Sequence, residues 1–310
     1  MEFFKSNTNI NFMSQRKWAA MFSIILFLFS ILSLAVYGLN WGLDFTGGTQ
    51  IQLSFQQEAN LNTIRNNLEK AGLKEAMVMS YGTSKDVLVT LIKENKNNVL
   101  DNQADTSTVN RVTAALPDAK VEQVNYIGPQ VGKEMASKSV IAILLALLGT
   151  MVYIAFRFDL RFAVGSTVAL VHDPIIILGV FSFFRIEFNL IALAAVLTVI
   201  GYSLNDTIVI FDRVREDFRK MRKISALEVM NQAINQTLSR TIMTSVLTLT
   251  VVLALFFLGG ALLQGFSLAL IIGIIVGTYS SIYVAGSLTL ALGLDRKHLV
   301  PQTKEIDERP

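Results

Sequence analysis

The stretch NLIALAAVLTVIGYSLNDTIVIFDRVRE (residues 189–216) carries an acidic residue inside an otherwise apolar run. Residues 189–211 are long enough to cross a bilayer, because a membrane-spanning helix needs about 20 apolar residues. Asp206 lies roughly 7–8 Å inside the end of this run at a rise of 1.5 Å per residue. An ionisable group near the bilayer centre costs about 2.5–3.5 kcal/mol on insertion scales, so we expect Asp206 to have a function.

The composition indicates an integral membrane protein. The chain is 52% hydrophobic and 16% charged, with a mean hydropathy of +0.49, whereas soluble domains are about 25% charged. The net charge of +3 is small, so the basic pI reflects where Lys and Arg lie relative to the bilayer and does not predict a nucleic-acid surface. The lack of cysteine excludes thiolate metal sites, and two histidines argue against a histidine metal cluster.

Six apolar segments are long enough to span a membrane, which predicts an α-helical membrane protein. They are residues 18–39, 139–156, 162–184, 189–211, 241–260 and 266–292. The first follows Arg16 and Lys17 but exceeds the h-region of about 7–15 residues that is typical of signal peptides. We therefore expect a retained anchor.

Basic residues in the short loops predict one orientation. They are Lys5, Arg16, Lys17, Arg157, Arg161, Arg213, Arg215, Arg219, Lys220, Arg222, Lys223, Arg296 and Lys297. The positive-inside rule places residues 1–17, the basic loop 212–240 and the tail 293–310 in the cytoplasm, and residues 40–138 on the other side. Within the loop we expect contact with anionic lipids through a short amphipathic helix over 227–238, or docking of a partner.

The segment 40–138 has the pattern of a compact α+β domain. Its apolar periodicity predicts strand, helix, strand, strand, helix and strand, with residues 82–84 as the turn between the two middle strands. The order βαββαβ predicts a ferredoxin-like domain. Such a fold serves many functions, so it indicates a docking or binding module without naming a ligand. The domain shows no nucleophile arrangement, acid pair or metal-ligand spacing typical of an enzyme.

The motif GLDFTGGT (residues 42–49) precedes this domain and contains Gly42, Asp44, Gly47 and Gly48. One interpretation is a tight turn in which Gly47 and Gly48 supply positive φ before a strand. A phosphate-binding loop is the other, but no Gly-Lys-Ser/Thr follows and the next element is a strand. ATP is therefore not expected to bind this chain.

Asp206 has two interpretations. It could form a hydrogen bond that packs helices together, or it could bind a proton. Burial and a nearby positive charge act in opposite directions on the proton affinity of a carboxylate, so movement of Arg240, at the start of the fifth segment, would switch that affinity. Tyr202 and Ser203 lie one turn earlier, so a polar stripe could cross the same helix. Asn205 and Tyr202 are candidates for a polar relay or for helix packing.

His172 and Asp173 lie near the middle of the third segment, next to Pro174. Proline frees a backbone carbonyl and bends a helix. The pair could lock helices together or form a relay for protons. Thr241, Thr244 and Ser245, which follow Arg240, are expected to form hydrogen bonds between helices.

Together the motifs resemble those of the SecF-like members of the SecD/SecF family of bacterial protein export. They are GLDFTGGT, VHDPIIILGVFS, VIGYSLNDTIVIFDRVRE and NQTLSRTIMTS, which occur in this order across nearly the whole chain. The chain is also similar, more distantly, to half of a transporter of the resistance-nodulation-division superfamily. Leu43 stands where the family more often has isoleucine.

The resemblance implies a subunit of the bacterial inner membrane, with its large loop in the periplasm, that is not an enzyme and has no cofactor. Implied partners are SecD, the SecYEG channel, the SecA motor, YajC, YidC, membrane lipids and a preprotein in transit. The implied activity uses the proton-motive force to complete translocation after the ATP-driven step, with Asp206 and Arg240 in proton coupling and Na⁺ left open as the ion. Half of a small-molecule efflux transporter and a scaffold without energy coupling are the alternatives.

Overall fold

The computed structural model describes residues 9–73, 76–81, 83–92, 106–221 and 224–295. Within these ranges six helical spans are long and apolar enough to cross a membrane, which confirms the predicted multi-pass membrane protein. The spans are α1 (Arg16–Tyr37), α5 (Pro129–Arg157), α6 (Leu160–Phe183), α7 (Leu190–Lys220), α8 (Ala226–Leu258) and a sixth span that consists of α9 (Gly260–Ser280), a π-helical turn (Ser281–Ala285) and α10 (Gly286–Ala291).

The helices extend well into the predicted basic loop. α7 continues to Lys220, and α8 already begins at Ala226, so most of residues 212–240 is helical. Ser225 and Glu228 form a reciprocal capping box that starts α8 there. The expected interfacial helix over 227–238 is therefore wrong as a separate element, because its apolar residues are buried in the helix core as the first turns of α8.

The N-terminal ends of other helices also differ from the sequence prediction. α5 begins at Pro129, directly after the outer domain, and not at residue 139. A 3-10 turn, Phe12–Gln15, precedes α1, and the backbone of Ile10 forms hydrogen bonds with the side chains of Asn231 and Asn235 on α8. The predicted N-terminal segment 1–17 is thus attached to α8 where it is described, whereas most of the tail 293–310 lies outside the described residues.

The outer domain contains a four-stranded antiparallel sheet covered by two helices. Its elements are β2 (Gly48–Phe55), α3 (Leu61–Lys70), β3 (Met77–Tyr81), β4 (Thr83–Ile92), α4 (Thr106–Ala115) and β5 (Ala119–Ile127). The strands lie in the order β3-β4-β2-β5. Ile51 and Val89 of the sheet pack with Leu68 of α3 and Val112 of α4. In the predicted turn 82–84, Thr83 and Ser84 belong to β4 and Gly82 lies outside the described residues.

Small elements connect this domain to the membrane helices. A strand β1 (Asn40–Trp41) follows α1 and pairs in parallel with β6 (Glu187–Phe188), which lies between α6 and α7. The one-turn helix α2 (Leu43–Thr46) then leads into β2. The chain therefore enters the outer domain directly beside the start of α7.

The helices α6, α7 and the sixth span form the centre of the bundle. In the most apolar stretch of each of these three spans, 61%, 50% and 50% of the residues are buried. In the corresponding stretches of α1, α5 and α8 the share is 17%, 11% and 17%. Close contact at the centre depends on glycine. A Cβ atom on Gly273 would lie 2.1 Å from Cγ2 of Val199, and one on Gly277 would lie 3.1 Å from Cβ of Ser203. Two glycines four residues apart on the sixth span therefore pack against two residues four apart on α7. Such contacts at small residues are common between membrane helices.

The contact of Gly273 with Val199 predicts a specific suppressor pair. Gly273→Ala should lower the free energy of unfolding by about 1–3 kcal/mol, because an added methyl group overpacks the contact. Val199→Ala in the same chain should restore part of the loss by making room. Thermal unfolding in detergent measures both effects, with Gly149→Ala as a control, since a Cβ there meets nothing within 4 Å. Equal melting of the single and double variants would contradict the contact.

Candidate functional site

Asp173 is the centre of a buried polar cluster between three helices. Its side chain is fully buried. Oδ2 accepts hydrogen bonds from Oγ of Ser203 on α7 at 2.6 Å and from Oγ of Ser280 on the sixth span at 2.8 Å. Oδ1 lies 3.0 Å from Nδ1 of His172. A carboxyl group that is removed from water requires such partners, so the cluster ties α6, α7 and the sixth span together.

Irregular helix geometry brings these groups together. Pro174 follows Asp173 inside α6 and removes one backbone hydrogen bond there. Directly after Ser280 the sixth span changes to π-helical geometry, a feature frequent at functional sites. In this π turn, Oγ of Ser281 lies 2.9 Å from Oγ1 of Thr207 and donates to the carbonyl oxygen of Ser203. A second layer of hydroxyl groups therefore supports the first.

His172 lies at the edge of the cluster. Its ring stacks on that of Phe27 from α1, with the ring centroids 6.0 Å apart. Nε2 is buried and has no hydrogen-bond partner among the described residues. The histidine therefore holds Asp173 through one nitrogen, and its side chain also lines a cavity between α1 and α6.

Asp206 is buried but stands outside this cluster. Only 3% of its surface is exposed, and Oδ2 has no hydrogen-bond partner within the described part of the chain. Arg240 on α8 is exposed. The charge of Arg240 acts on the Asp206 carboxylate, although these two described side chains form neither an ion pair nor a hydrogen bond. Asp206 and Arg240 thus interact through their charges but are not in direct contact in this structure.

The remaining predicted polar residues take different roles. Tyr202 donates from its hydroxyl to Oγ of Ser245 at 3.4 Å, and Ser245 in turn lies 2.8 Å from Oγ1 of Thr278. The interhelical bond predicted for Ser245 is therefore confirmed. That for Thr244 is wrong, because its hydroxyl bonds to carbonyl groups of its own helix. Asn205 is exposed.

Sequence reasoning missed half of the buried cluster. Ser280, Ser281 and Thr207 were not predicted to belong to it. A hydroxyl-rich run TYSS at residues 278–281 is the only signal in the sixth span that could have drawn attention to them. His172 and Asp173, which the sequence did single out, are brought together by the structure.

The glycine motif forms a tight junction at the base of the outer domain. Gly47 has φ +72° and Gly48 has φ +143°, which confirms the predicted positive φ before a strand. A Cβ on Gly47 would lie 2.7 Å from Cα of Pro129, so the turn packs directly on the start of α5. Oδ2 of Asp44 accepts a hydrogen bond from the backbone N–H of Leu190 at 2.8 Å. The carboxylate thereby caps the N-terminus of α7.

Glu187 lies beside Asp44 in the same junction. Burial, and then the negative charge of Asp44, raises the pKa of Glu187 above its ordinary value of 4.5. The junction therefore contains one carboxylate that caps a helix and a second that is more easily protonated than usual.

The fold and site define a membrane protein in which a six-helix bundle with buried carboxylates carries one outer α+β domain. The family described as "Protein export membrane protein SecD/SecF, C-terminal" matches residues 107–295, and the "SecD/SecF GG Motif" matches residues 32–59. The chain belongs to the SecD/SecF family of protein-export membrane proteins. The matched motif region includes the junction built by Asp44 and Gly47.

Curated relatives and solved structures agree with this assignment. The chain is 45% identical to "Protein translocase subunit SecF" of Vibrio alginolyticus, with 99% of this chain and 98% of that protein covered. It is 47% identical to the subunit of the same name in Pseudomonas aeruginosa, with 97% and 98% covered. The crystal structure of SecDF from Thermus thermophilus, described as a translocon-associated membrane protein, matches with TM-score 0.82 at 37% identity. That match covers 93% of this chain but 39% of the SecDF chain.

The cluster around Asp173 predicts a specific loss of stability. Ser280→Ala should lower the free energy of unfolding by about 1–3 kcal/mol, because a fully buried carboxyl group loses one of its hydrogen-bond donors. Ser239→Ala, at an exposed position of α8, serves as the control. Thermal unfolding in detergent measures the difference, and equal melting temperatures for the two variants would refute the role given to Ser280.

The junction predicts a pH dependence. Because the folded-state pKa of Glu187 is raised, its contribution to stability is complete below its ordinary pKa of 4.5 and is lost as the pH rises through the folded-state pKa. Glu187→Gln should remove this slope and slow amide hydrogen exchange at residues 42–48 at neutral pH. Glu58→Gln, at an exposed position, should keep the wild-type slope. An unchanged slope in Glu187→Gln would contradict the prediction.

Proposed function

We propose that this chain is the SecF-like subunit of a protein-export translocase and that it couples proton entry to the completion of preprotein translocation. The observation that carries the coupling proposal is Asp206, a buried carboxylate without a hydrogen-bond partner among the described residues, on which the charge of Arg240 acts from a neighbouring helix. Such a carboxylate can gain or lose a proton without first breaking a hydrogen bond.

A second six-helix half is the proposed partner. Arg240 and Asn205 are exposed on membrane helices of the isolated chain, and polar groups at such positions usually face protein or water because contact with lipid is costly. The match to SecDF covers 39% of that longer chain, which leaves room there for the SecD half. A SecD-like partner over Arg240 would place the proton-binding carboxylate near the boundary between the two halves.

α7 offers a mechanical link from this site to the outer domain. Its N-terminus is capped by Asp44 of the glycine motif, and Asp206 lies 16 residues further along, roughly 24 Å at 1.5 Å per residue. Protonation of Asp206 would weaken its attraction to Arg240 and let the halves shift. α7 would pass this shift to the base of the outer domain, whose swing would keep a captured polypeptide from sliding back.

The outer domain is proposed to be ferredoxin-like and to contact the emerging polypeptide. The strand order β3-β4-β2-β5 with α3 and α4 on one face supports this class. By family resemblance the domain lies in the periplasm, the chain lies in the inner membrane with both termini in the cytoplasm, and SecYEG, SecA, YajC and YidC are its wider partners. H⁺ is the proposed coupling ion.

The available energy is sufficient for a switch of this kind. One charge that crosses 100 mV releases about 2.3 kcal/mol, which biases a two-state equilibrium roughly 50-fold. The efflux alternative has less support, because the relatives that are more than 40% identical along nearly their whole length are named as translocase subunits.

The proposal predicts a loss of coupling in Asp206→Asn. In inverted vesicles that contain the full translocase, this variant should retain ATP-driven export and lose the stimulation by a proton gradient, because Asn cannot exchange a proton. Asp212→Asn is the matched control, since Asp212 is a partly exposed acid on the same helix paired with Arg157. Stimulation of Asp206→Asn at the level of Asp212→Asn would refute proton coupling through Asp206.

A further inference from the structure

A cavity of about 690 Å³ lies between α1, α6 and the end of the sixth span. Its wall is almost entirely apolar and includes Ala20, Phe27, Val168, Val171, Val284 and Leu288. The volume falls within the range of roughly 300–1,000 Å³ that holds small molecules in proteins. The cavity shares only His172 with the polar cluster around Asp173, so it is a separate feature of the bundle.

The cavity has the depth of one bilayer leaflet and opens sideways. Its lining runs along α1 from Arg16 to Leu28, roughly 18 Å at 1.5 Å per residue, and one leaflet of the hydrocarbon core is about 15 Å thick. Ile24 and Leu28 on its rim are each 58% exposed, so the opening faces the surroundings of the helix bundle. In a membrane these surroundings are lipid chains.

One end of the cavity is cationic. Arg16 and Lys17 line it where α1 begins, and within the described residues neither side chain forms an ion pair. Two buried polar atoms in the lining also lack partners among the described residues, namely Nε2 of His172, a side chain that is 5% exposed, and Oγ of Ser287. Ser287 lies four residues, roughly 6 Å, before the end of α10, on the same side as the two cations.

We propose that this cavity binds one anionic phospholipid. The headgroup phosphate lies between Arg16 and Lys17, and an acyl chain fills the apolar part of the cavity toward Phe27 and Leu28. Charge complementarity selects an anionic over a zwitterionic headgroup, because a Lys or Arg near a membrane surface contributes about fivefold in affinity for anionic lipid. The site goes beyond the proposed export function and does not depend on it.

Native mass spectrometry of the full-length chain in detergent tests the site. The chain is titrated with phosphatidylglycerol or phosphatidylcholine, and the occupancy of the first lipid is measured. Wild type should prefer phosphatidylglycerol, and Arg16→Gln with Lys17→Gln should weaken its binding about 25-fold, fivefold for each cation. Lys133→Gln with Lys138→Gln removes the same charge at the opposite end of the bundle, near the start of α5, and should leave the affinity unchanged.

A second variant tests the cavity itself. Ala20→Trp should obstruct the cavity and weaken the first binding event for both lipids while the two cations remain. Equal effects of the two charge-removing pairs, or full occupancy in Ala20→Trp, would overturn the proposal and leave a water-filled vestibule at His172 as the alternative. Thermal melting checks that each variant is folded. If the double variant is unstable, Lys17→Gln alone, at an exposed position, should show the fivefold effect.

Discussion

The carboxyl group of Asp173 is the constraint around which the helix bundle is arranged. Inside a membrane it can be tolerated only when its oxygens find donors, and here the donors come from two other helices. Those helices can approach closely enough only because glycine faces α7 at Gly273 and Gly277. The hydrogen bonds and the tight glycine contacts thus depend on each other, and both hold α6, α7 and the sixth span in one register.

Asp206 differs from Asp173 although both are buried acids. Asp173 is held by three side chains, whereas Asp206 has no hydrogen-bond partner in the described part of the chain, and the charge of Arg240 acts on it. A well-satisfied carboxyl group stabilises one arrangement, while an unsatisfied one is sensitive to small movements of a nearby charge. This contrast supports the packing interpretation of Asp173 and the switch that we propose for Asp206.

The junction at the glycine motif connects the membrane helices α5 and α7 to the outer domain. Asp44 binds the start of α7, and Gly47 and Gly132 allow the backbone around α2 to lie directly against α5. The first and last elements of the outer domain therefore meet at one rigid base beside α7. A movement of α7 would reach the domain at this base through the hydrogen bond to the Asp44 carboxylate, while the contacts of Gly47 and Gly132 involve backbone atoms.

The sequence alone determined the six spans, the position of the outer domain, the positive φ at Gly47 and the acids within the membrane, because length, hydropathy and glycine act locally. It overestimated the loop at 212–240, since the capping box at Ser225 and the apolar face of the following residues continue a helix there. Only the tertiary structure decided that Ser203 and Ser280 satisfy Asp173 and that Arg240 stands apart from Asp206. Periodicity along one helix fixes which residues share a face, but hydrogen-bond partners depend on which helices converge, and contacts between residues as distant as Val199 and Gly273 set that convergence.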